Sequence, residues 1–230
     1  MHHYRVLILT LAVFLVALMG GWMIVNAIRI SKDRFMTGLP TADIQKSLLP
    51  RSIELAKMRP PAFRTEDPHR YGSATSVASV IEFGDFECDT CKDTREVIEA
   101  VVPAFGGRVR FVWRDLPISD VNPNAKDAAI FARCAGRQGK FWEAHDALFD
   151  SPALGERAYA VIAEVLGLHR AALASCRTDP VVGAAIDADV DAARSDGVSS
   201  APFFFIGTQA IRGSVTAEEL EREIKRFLSS

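Results

Sequence analysis

The chain has 230 residues, of which 49% are hydrophobic, and a formal net charge of −2 at pH 7. This near-balanced charge argues against a nucleic-acid partner, which a basic surface would attract. The length and hydrophobic fraction are sufficient for one well-filled domain. Four cysteines are present, so thiol chemistry, a structural disulfide and a metal site all have to be weighed.

The first element in chain order is an uncharged apolar stretch at residues 6–28. As a helix, its 23 residues would be about 35 Å long, against about 30 Å for the hydrocarbon core of a bilayer. We therefore predict a transmembrane anchor that follows a cytoplasmic tip at residues 1–5. A cleaved secretory signal is the alternative, although the apolar part of such signals is shorter, about 7–15 residues.

Basic residues give a conflicting indication of the anchor's orientation. Arg5 precedes the anchor, whereas Arg29, Lys32 and Arg34 follow it. Counting these residues alone would place the rest of the chain in the cytoplasm. A dithiol site beside a second cysteine pair is instead typical of an oxidising compartment. We predict that the domain lies outside the cytoplasm.

Residues 29–75 are predicted to be a linker, because five prolines and scattered charges interrupt them. From residue 76 the pattern gives strand, helix, strand, a helical block, two strands and a helix. The block is predicted to begin with Asn122 as a helix cap. The predicted boundaries are strands Ser76–Phe83, Arg108–Arg114, Phe203–Ile206 and Gln209–Arg212, an early helix Cys88–Phe105, and a last helix opened by a capping box at Thr216–Glu219.

Two cysteines, Cys88 and Cys91, are separated by two residues at the junction of the first strand and first helix. A sulfur at a helix N-terminus is stabilised as a thiolate by unpaired N–H groups and the helix dipole. We therefore predict that Cys88 is the nucleophile and Cys91 the resolving thiol. A zinc site is the alternative, but it would require four ligands, and the remaining cysteines, Cys134 and Cys176, form no second close pair.

Three segments together resemble the DsbA-like disulfide oxidoreductases of the thioredoxin superfamily. They are Glu82–Cys91, Gln138–Phe149 and Gly197–Gly207. The resemblance covers about residues 76–228 and implies a thioredoxin-like α/β fold with an inserted α-helical domain. The core would comprise residues 76–118 and 197–230, and the insertion residues 119–196.

The resemblance also implies roles for individual residues. Glu82 would lie under the active-site disulfide and relay protons from the buried cysteine, unless it is a solvated strand residue. Pro202 would be cis and face the cysteine pair, and Ala201 before it would pair with the substrate backbone. Cys134 and Cys176 would form a structural disulfide. Two buried free thiols are the alternative for that pair.

Strong oxidases of this family typically carry Pro-His between the two cysteines, where this chain has Asp89-Thr90. The acidic residues Glu87, Asp89 and Asp93 are expected to raise the pKa of Cys88. A less favoured thiolate makes the disulfide a weaker oxidant. We therefore expect the protein to be less oxidising than the Pro-His members.

These observations predict a thiol–disulfide oxidoreductase, most simply a DsbA-like oxidase, of the bacterial inner membrane with its domain facing the periplasm or cell exterior. Its substrates would be reduced or unfolded exported polypeptides. A DsbB-like or VKOR-like membrane partner would reoxidise it. No organic cofactor and no metal are expected, because the sulfur pair carries the electrons. A reductase or isomerase using the same site, and a non-catalytic binding module, are the alternatives.

Overall fold

A computed structural model describes residues 58, 60–62, 64 and 67–230 of the chain. The predicted anchor at residues 6–28 lies outside the described residues and stays a prediction. Within the described part, no helix combines the length and apolar character that a membrane span requires.

The centre of the domain is a five-stranded sheet with the order β1-β3-β2-β4-β5. Strands β2 and β3 are parallel, and the other neighbouring pairs are antiparallel. Both central strands are buried along most of their length, as expected for strands covered on two faces. The strands are β1 (His69–Arg70), β2 (Ala78–Gly84), β3 (Val109–Asp115), β4 (Phe203–Ile206) and β5 (Gln209–Arg212).

Helices surround this sheet and also form the insertion between β3 and β4. Helix α1 is Asp89–Val101, followed by a 3-10 turn at Val102–Phe105, and the C-terminal helix α7 is Ala217–Leu228. Helices α1 and α7 pack against each other, and α2 packs against α3, α5 and α6. The insertion contains α2 (Ala125–Gly136), α3 (Phe141–Asp150), α4 (Glu156–Val165), α5 (Arg170–Arg177) and α6 (Pro180–Ser195). The predicted order of elements is therefore confirmed, with the helical insertion in the expected place.

Some boundaries differ from those expected. Strand β1 lies inside the range predicted to be a linker and pairs with β3, and two residues are too few to give a strand signal in the sequence. Helix α2 begins at Ala125, and Asn122 is not its cap. The Asn122 side chain instead donates a hydrogen bond to Asp85 at 2.9 Å. The capping box at Thr216 and Glu219 is present as predicted.

A row of charged side chains fixes the insertion to the sheet. Asp115, at the end of β3, is buried and accepts hydrogen bonds from Trp113 Nε1 at 2.8 Å and from Arg133 Nε of α2 at 2.6 Å. Arg133 also contacts Asp189 of α6 at 3.2 Å. Removing one member of such a buried pair leaves an uncompensated charge, which is strongly destabilising. The insertion is thus held in one position relative to β3.

Cys134 of α2 and Cys176 of α5 are joined by a disulfide, with an S–S distance of 1.97 Å and a Cα–Cα distance of 5.7 Å. Both cysteines are buried. The bond links residues that are 42 positions apart in sequence. It therefore closes a long loop and reduces the conformational entropy of the unfolded chain.

Replacing both cysteines, as Cys134→Ala/Cys176→Ala, is expected to lower the free energy of unfolding by up to about 4 kcal/mol, because the unfolded chain regains its loop entropy. Urea unfolding followed by circular dichroism measures the change. The alkylation rate of Cys88 should stay unchanged, which serves as the control for an intact core. An unfolding midpoint equal to that of the unaltered chain would contradict the prediction.

Candidate active site

Cys88 is the N-cap of α1, with extended backbone angles and a side chain that accepts from the helix. Its Sγ accepts the backbone N–H of Cys91 at 3.2 Å and lies 3.1 Å from Thr90 Oγ1. The side chain is partly exposed. A sulfur in this position satisfies one of the N–H groups that every helix leaves unpaired at its start.

The turn before Cys88 depends on residues at the end of β2. Asp85 accepts the backbone N–H of Glu87 at 2.8 Å, and its backbone oxygen accepts the N–H of Cys88 at 3.2 Å. At Gly84 an added Cβ would lie 2.1 Å from the ring of Trp113, so only glycine fits there. These contacts fix the turn between β2 and α1, so the sulfur of Cys88 is held at the start of the helix.

Asp85 is a site residue that the sequence reasoning missed. It is buried, and besides Glu87 it accepts the backbone N–H of Ile118 at 2.8 Å and the side chain of Asn122 at 2.9 Å. Burial raises the pKa of its carboxyl. The residue ties the loop after β3 to the cysteine turn. An acidic residue directly after the apolar strand was the available signal.

The two thiols have opposite environments. The pKa of Cys88 is lowered to about 6, because the Cys91 thiol donates to its sulfur and Thr90 and the Cys91 N–H add further hydrogen bonds. The side chain of Cys91 is only 1% exposed, and burial raises its pKa strongly. At neutral pH the arrangement therefore favours a thiolate on Cys88 and a neutral thiol on Cys91.

The expectation that nearby acids raise the pKa of Cys88 was wrong in its direction. Hydrogen bonds to the sulfur lower the pKa by more than burial raises it, and the acid with the largest raising effect is Asp85. The Glu87 carboxylate accepts from both the backbone and the side chain of Asn124 at 2.7 Å. Asp89 and Asp93 are exposed, so solvent screens their charges.

The loop before β4 reaches the cysteine turn. The peptide bond between Ala201 and Pro202 is cis, and the carbonyl oxygen of Ala201 lies 3.7 Å from Cys88 Sγ. Pro202 is buried, and Ala201 is half-buried. The structure thus brings Ala201, Pro202 and Cys88 together, although they are more than 110 residues apart in sequence.

Glu82 lies on β2 and is only 1% exposed, so the reading of a solvated strand residue does not hold. In the sheet register it stands between Trp113 of β3 and Phe204 of β4. Burial, and next the charge of Cys88, raise the pKa of its carboxyl well above the usual value. The same carboxyl raises the pKa of Cys91. The two groups are therefore close enough to influence each other's ionisation.

No group of three or more histidine, cysteine, aspartate or glutamate side chains within the described residues could hold a metal ion.

A protein-family model described as Thioredoxin matches residues 64–226. Two curated relatives are the Na(+)/H(+) antiporters NhaA 1 of Salinispora arenicola and NhaA 3 of Salinispora tropica. The first is 34% identical over 194 residues, which cover 83% of this chain and 29% of that protein. The second is 31% identical over 198 residues, which cover 86% of this chain and 30% of that protein. The chain therefore spans less than a third of the length of these relatives.

Solved structures with the same fold include the following three proteins. A thioredoxin-like oxidoreductase from Silicibacter pomeroyi has a TM-score of 0.66 and 25% identity, covering 77% of this chain and 97% of that one. The thiol-disulfide exchange protein alpha-DsbA2 from Wolbachia pipientis has a TM-score of 0.65 and 19% identity, covering 80% of this chain and 96% of that one. DsbA2 from Pseudomonas aeruginosa has a TM-score of 0.60 and 25% identity, covering 72% of this chain and 96% of that one.

The predicted resemblance is confirmed by the family match over most of the domain and by these structures. The chain belongs to the thioredoxin family, and it is similar in fold to DsbA-like thiol-disulfide exchange proteins of known structure.

Proposed function

We propose that the protein exchanges disulfides with exported polypeptides through Cys88 and Cys91, and that it acts as a DsbA-like oxidase. The observation that carries this proposal is the asymmetry of the two thiols. One sulfur is partly exposed and has a pKa lowered to about 6, and its partner is buried one helical turn further along α1.

The reaction begins from a Cys88–Cys91 disulfide. A substrate thiolate attacks Cys88 Sγ, so that the S–S bond breaks and Cys91 leaves with the electron pair and takes up a proton. A second substrate thiolate then attacks the substrate sulfur of the mixed disulfide, and Cys88 leaves as a thiolate. Two electrons pass from the substrate to the protein. The lowered pKa of Cys88 supports the last step, because a thiol of lower pKa is a better leaving group.

The position of the Ala201–Pro202 loop supports a substrate-binding role. Its backbone lies beside Cys88, where an extended polypeptide could pair with Ala201 as an added strand while its sulfur reaches Cys88. When the dithiol is reoxidised, Glu82 would accept the proton of Cys91, because it is a buried carboxyl whose charge acts on that thiol.

The location follows from the cysteine chemistry. A second disulfide, Cys134–Cys176, suits an oxidising compartment such as the periplasm or the cell exterior. Residues 6–28 would hold the domain at the inner membrane as a single-pass anchor, with residues 1–5 in the cytoplasm. A DsbB-like or VKOR-like membrane protein would return the thiols to the disulfide.

Mixed-disulfide trapping tests the roles of the two cysteines. With Cys91→Ser, a substrate disulfide is expected to leave a covalent adduct on Cys88, because no resolving thiol remains. With Cys88→Ser, no adduct should form, since Cys91 is buried. Non-reducing electrophoresis and mass spectrometry with a cysteine-containing unfolded polypeptide detect the adduct.

The Cys134→Ala/Cys176→Ala variant is the matched control for this trapping experiment and should still oxidise a reduced polypeptide. Oxidation by Cys88→Ser at the rate of the unaltered chain would reject the role of Cys88, and no oxidation by the unaltered chain would favour the non-catalytic module.

The rate of Cys88 alkylation is expected to fall as the pH decreases through about 6, because only the thiolate reacts. Iodoacetamide labelling of the dithiol form between pH 4 and 9, read by mass spectrometry, gives the curve. Thr90→Val should move the midpoint to higher pH, since one hydrogen bond to the sulfur is lost. A midpoint near the ordinary value of about 8.5 would disprove the proposed thiolate.

The reduction potential decides between an oxidase and a reductase. The pKa of Cys88, about 6, lies between those of thioredoxin, about 7, and DsbA, about 3.5. We therefore expect a potential between about −270 and about −120 mV, the values of those two proteins. Equilibration with a glutathione series measures it. A value at or below that of thioredoxin would favour the reductase, and one at that of DsbA would refute the weaker oxidant expected from the Asp89-Thr90 dipeptide.

A further inference from the structure

A small cavity lies beside the buried Cys91, and neither Cys88 nor Ala201 is among the residues that line it. Residues of β2, β3, α1 and α3 line it, including Glu82, Cys91, Arg95 and His145. Trp113 and Phe149 form part of its apolar wall. The cavity has room for about one water molecule.

Three buried polar atoms around this cavity have no hydrogen-bond partner among the described residues. They are Glu82 Oε1, Arg95 Nε and His145 Nε2. Buried polar atoms in native proteins are nearly always bonded to protein or to ordered water. Because all three residues line the same cavity, one water molecule placed there would be offered both donors and acceptors.

The protonation of His145 follows from its other nitrogen. His145 Nδ1 lies 2.9 Å from the Asp146 carboxylate, and a carboxylate only accepts, so Nδ1 carries the hydrogen. In the neutral ring Nε2 is then an acceptor. The ring is only 2% exposed, and burial lowers its pKa. A neutral imidazole with a free acceptor therefore borders the cavity.

A path from His145 to solvent is present. The Asp146 side chain is 30% exposed and pairs with Arg70 of β1 at 2.7 Å. Aromatic rings hold the imidazole on its other sides, with Trp113 at 4.7 Å and Phe149 at 5.1 Å between ring centroids. The only polar outlet from the ring among the described contacts is thus through Asp146.

The chemistry creates a proton that needs such a path. On reoxidation, Cys91 attacks the Cys88 sulfur of a mixed disulfide, the bond to the leaving sulfur breaks, and the Cys91 proton must depart. Cys91 is buried, and Glu82 beside it is buried between Trp113 and Phe204 in the sheet. Neither group can exchange this proton directly with bulk solvent.

We propose that a water molecule in this cavity links Glu82 to His145, and that His145 carries the proton of Cys91 to solvent through Asp146. His145 Nε2 accepts a proton while Nδ1 passes its own to Asp146. When a substrate is oxidised and Cys91 leaves as a thiolate, the same steps run inward and restore the first tautomer. His145 is in this sense a positioning residue for the proton, because it touches neither sulfur. The inference rests on the proposed exchange at Cys88 and Cys91.

Several other charged groups surround His145, and each has to be considered as a carrier of the proton. They are Asp146 on its own helix, Arg70 of β1, Arg95 and Glu99 of α1, and Glu82 of β2. Arg70 and Arg95 stay charged at all relevant pH values, so they cannot carry the proton. Glu82, His145 and Glu99 remain as the groups able to accept it beside the cavity, and of these Glu82 and His145 have a buried polar atom with no partner among the described residues.

The test separates the two steps of oxidation in the full chain. The dithiol protein is mixed with oxidised glutathione, quenched with acid and analysed by mass spectrometry, which resolves the Cys88–glutathione adduct and the Cys88–Cys91 disulfide. His145→Phe is expected to slow conversion of the adduct by about tenfold or more, since positioned proton transfer typically contributes about 10²- to 10⁴-fold. Adduct formation and the alkylation midpoint of Cys88 should stay within about twofold of the unaltered chain, since Cys88 reacts on the other side.

Two further variants separate proton transfer from packing. Phe149→Leu alters the same cavity wall without a polar atom and should leave the conversion rate nearly unchanged. His145→Gln keeps a polar contact to the water but has no second ring nitrogen, and it should be slow, with a conversion that recovers as the pH rises. This variant also keeps the test open if His145→Phe does not fold.

The outcomes distinguish this inference from the proposed function. Conversion in His145→Gln at the rate of the unaltered chain, or equal slowing in Phe149→Leu, would overturn the relay through His145. An unaltered chain that forms no adduct on Cys88 would instead overturn the exchange reaction itself.

Discussion

The hydrogen bonds that Cys88 accepts at the start of α1 are the interaction on which the site depends. Its sulfur stands where serine, threonine or aspartate oxygens usually cap a helix, and it accepts the Cys91 N–H at 3.2 Å. A neutral thiol is a weak acceptor, whereas a thiolate is a strong one. The helix start is therefore best satisfied when Cys88 is ionised. The same hydrogen bonds therefore cap the helix and stabilise the Cys88 thiolate. A stabilised thiolate favours the dithiol form over the disulfide.

The sheet arranges the other parts of the site around that sulfur. Strand β2 ends just before Cys88, and the antiparallel neighbour β4 begins just after Pro202, with Phe83 opposite Phe203. The end of one strand and the start of the next therefore lie side by side. This adjacency puts the Ala201 carbonyl beside Cys88, and the same strand β2 carries Glu82 beneath the buried thiol. In the proposed function, one face of the cysteine pair would receive a polypeptide and a second face would pass protons.

The helical insertion contributes to the second face. Helix α3 places His145 against Trp113 of β3, and the contact between Arg133 and Asp115 fixes α2 to the same strand. Buried ionic contacts of this kind are sensitive to the loss of one partner. The insertion therefore helps to set the geometry behind Cys91, in addition to covering the sheet.

Local chemistry in the sequence determined the element order, the cysteine motif and the capping box at Thr216, because each depends on residues close together along the chain. The resemblance to the DsbA-like proteins added Pro202 and Glu82 to the predicted site. Tertiary structure decided the rest. Two-residue strand β1 gains its hydrogen bonds only from β3. The direction of the Cys88 pKa depends on which groups point at the sulfur, and sequence proximity of Glu87, Asp89 and Asp93 does not reveal this. Asp85 and His145 acquire their surroundings from segments more than 25 residues away. The position of Asp85 directly after an apolar strand was a local signal for that residue, whereas no local pattern places His145 beside Trp113.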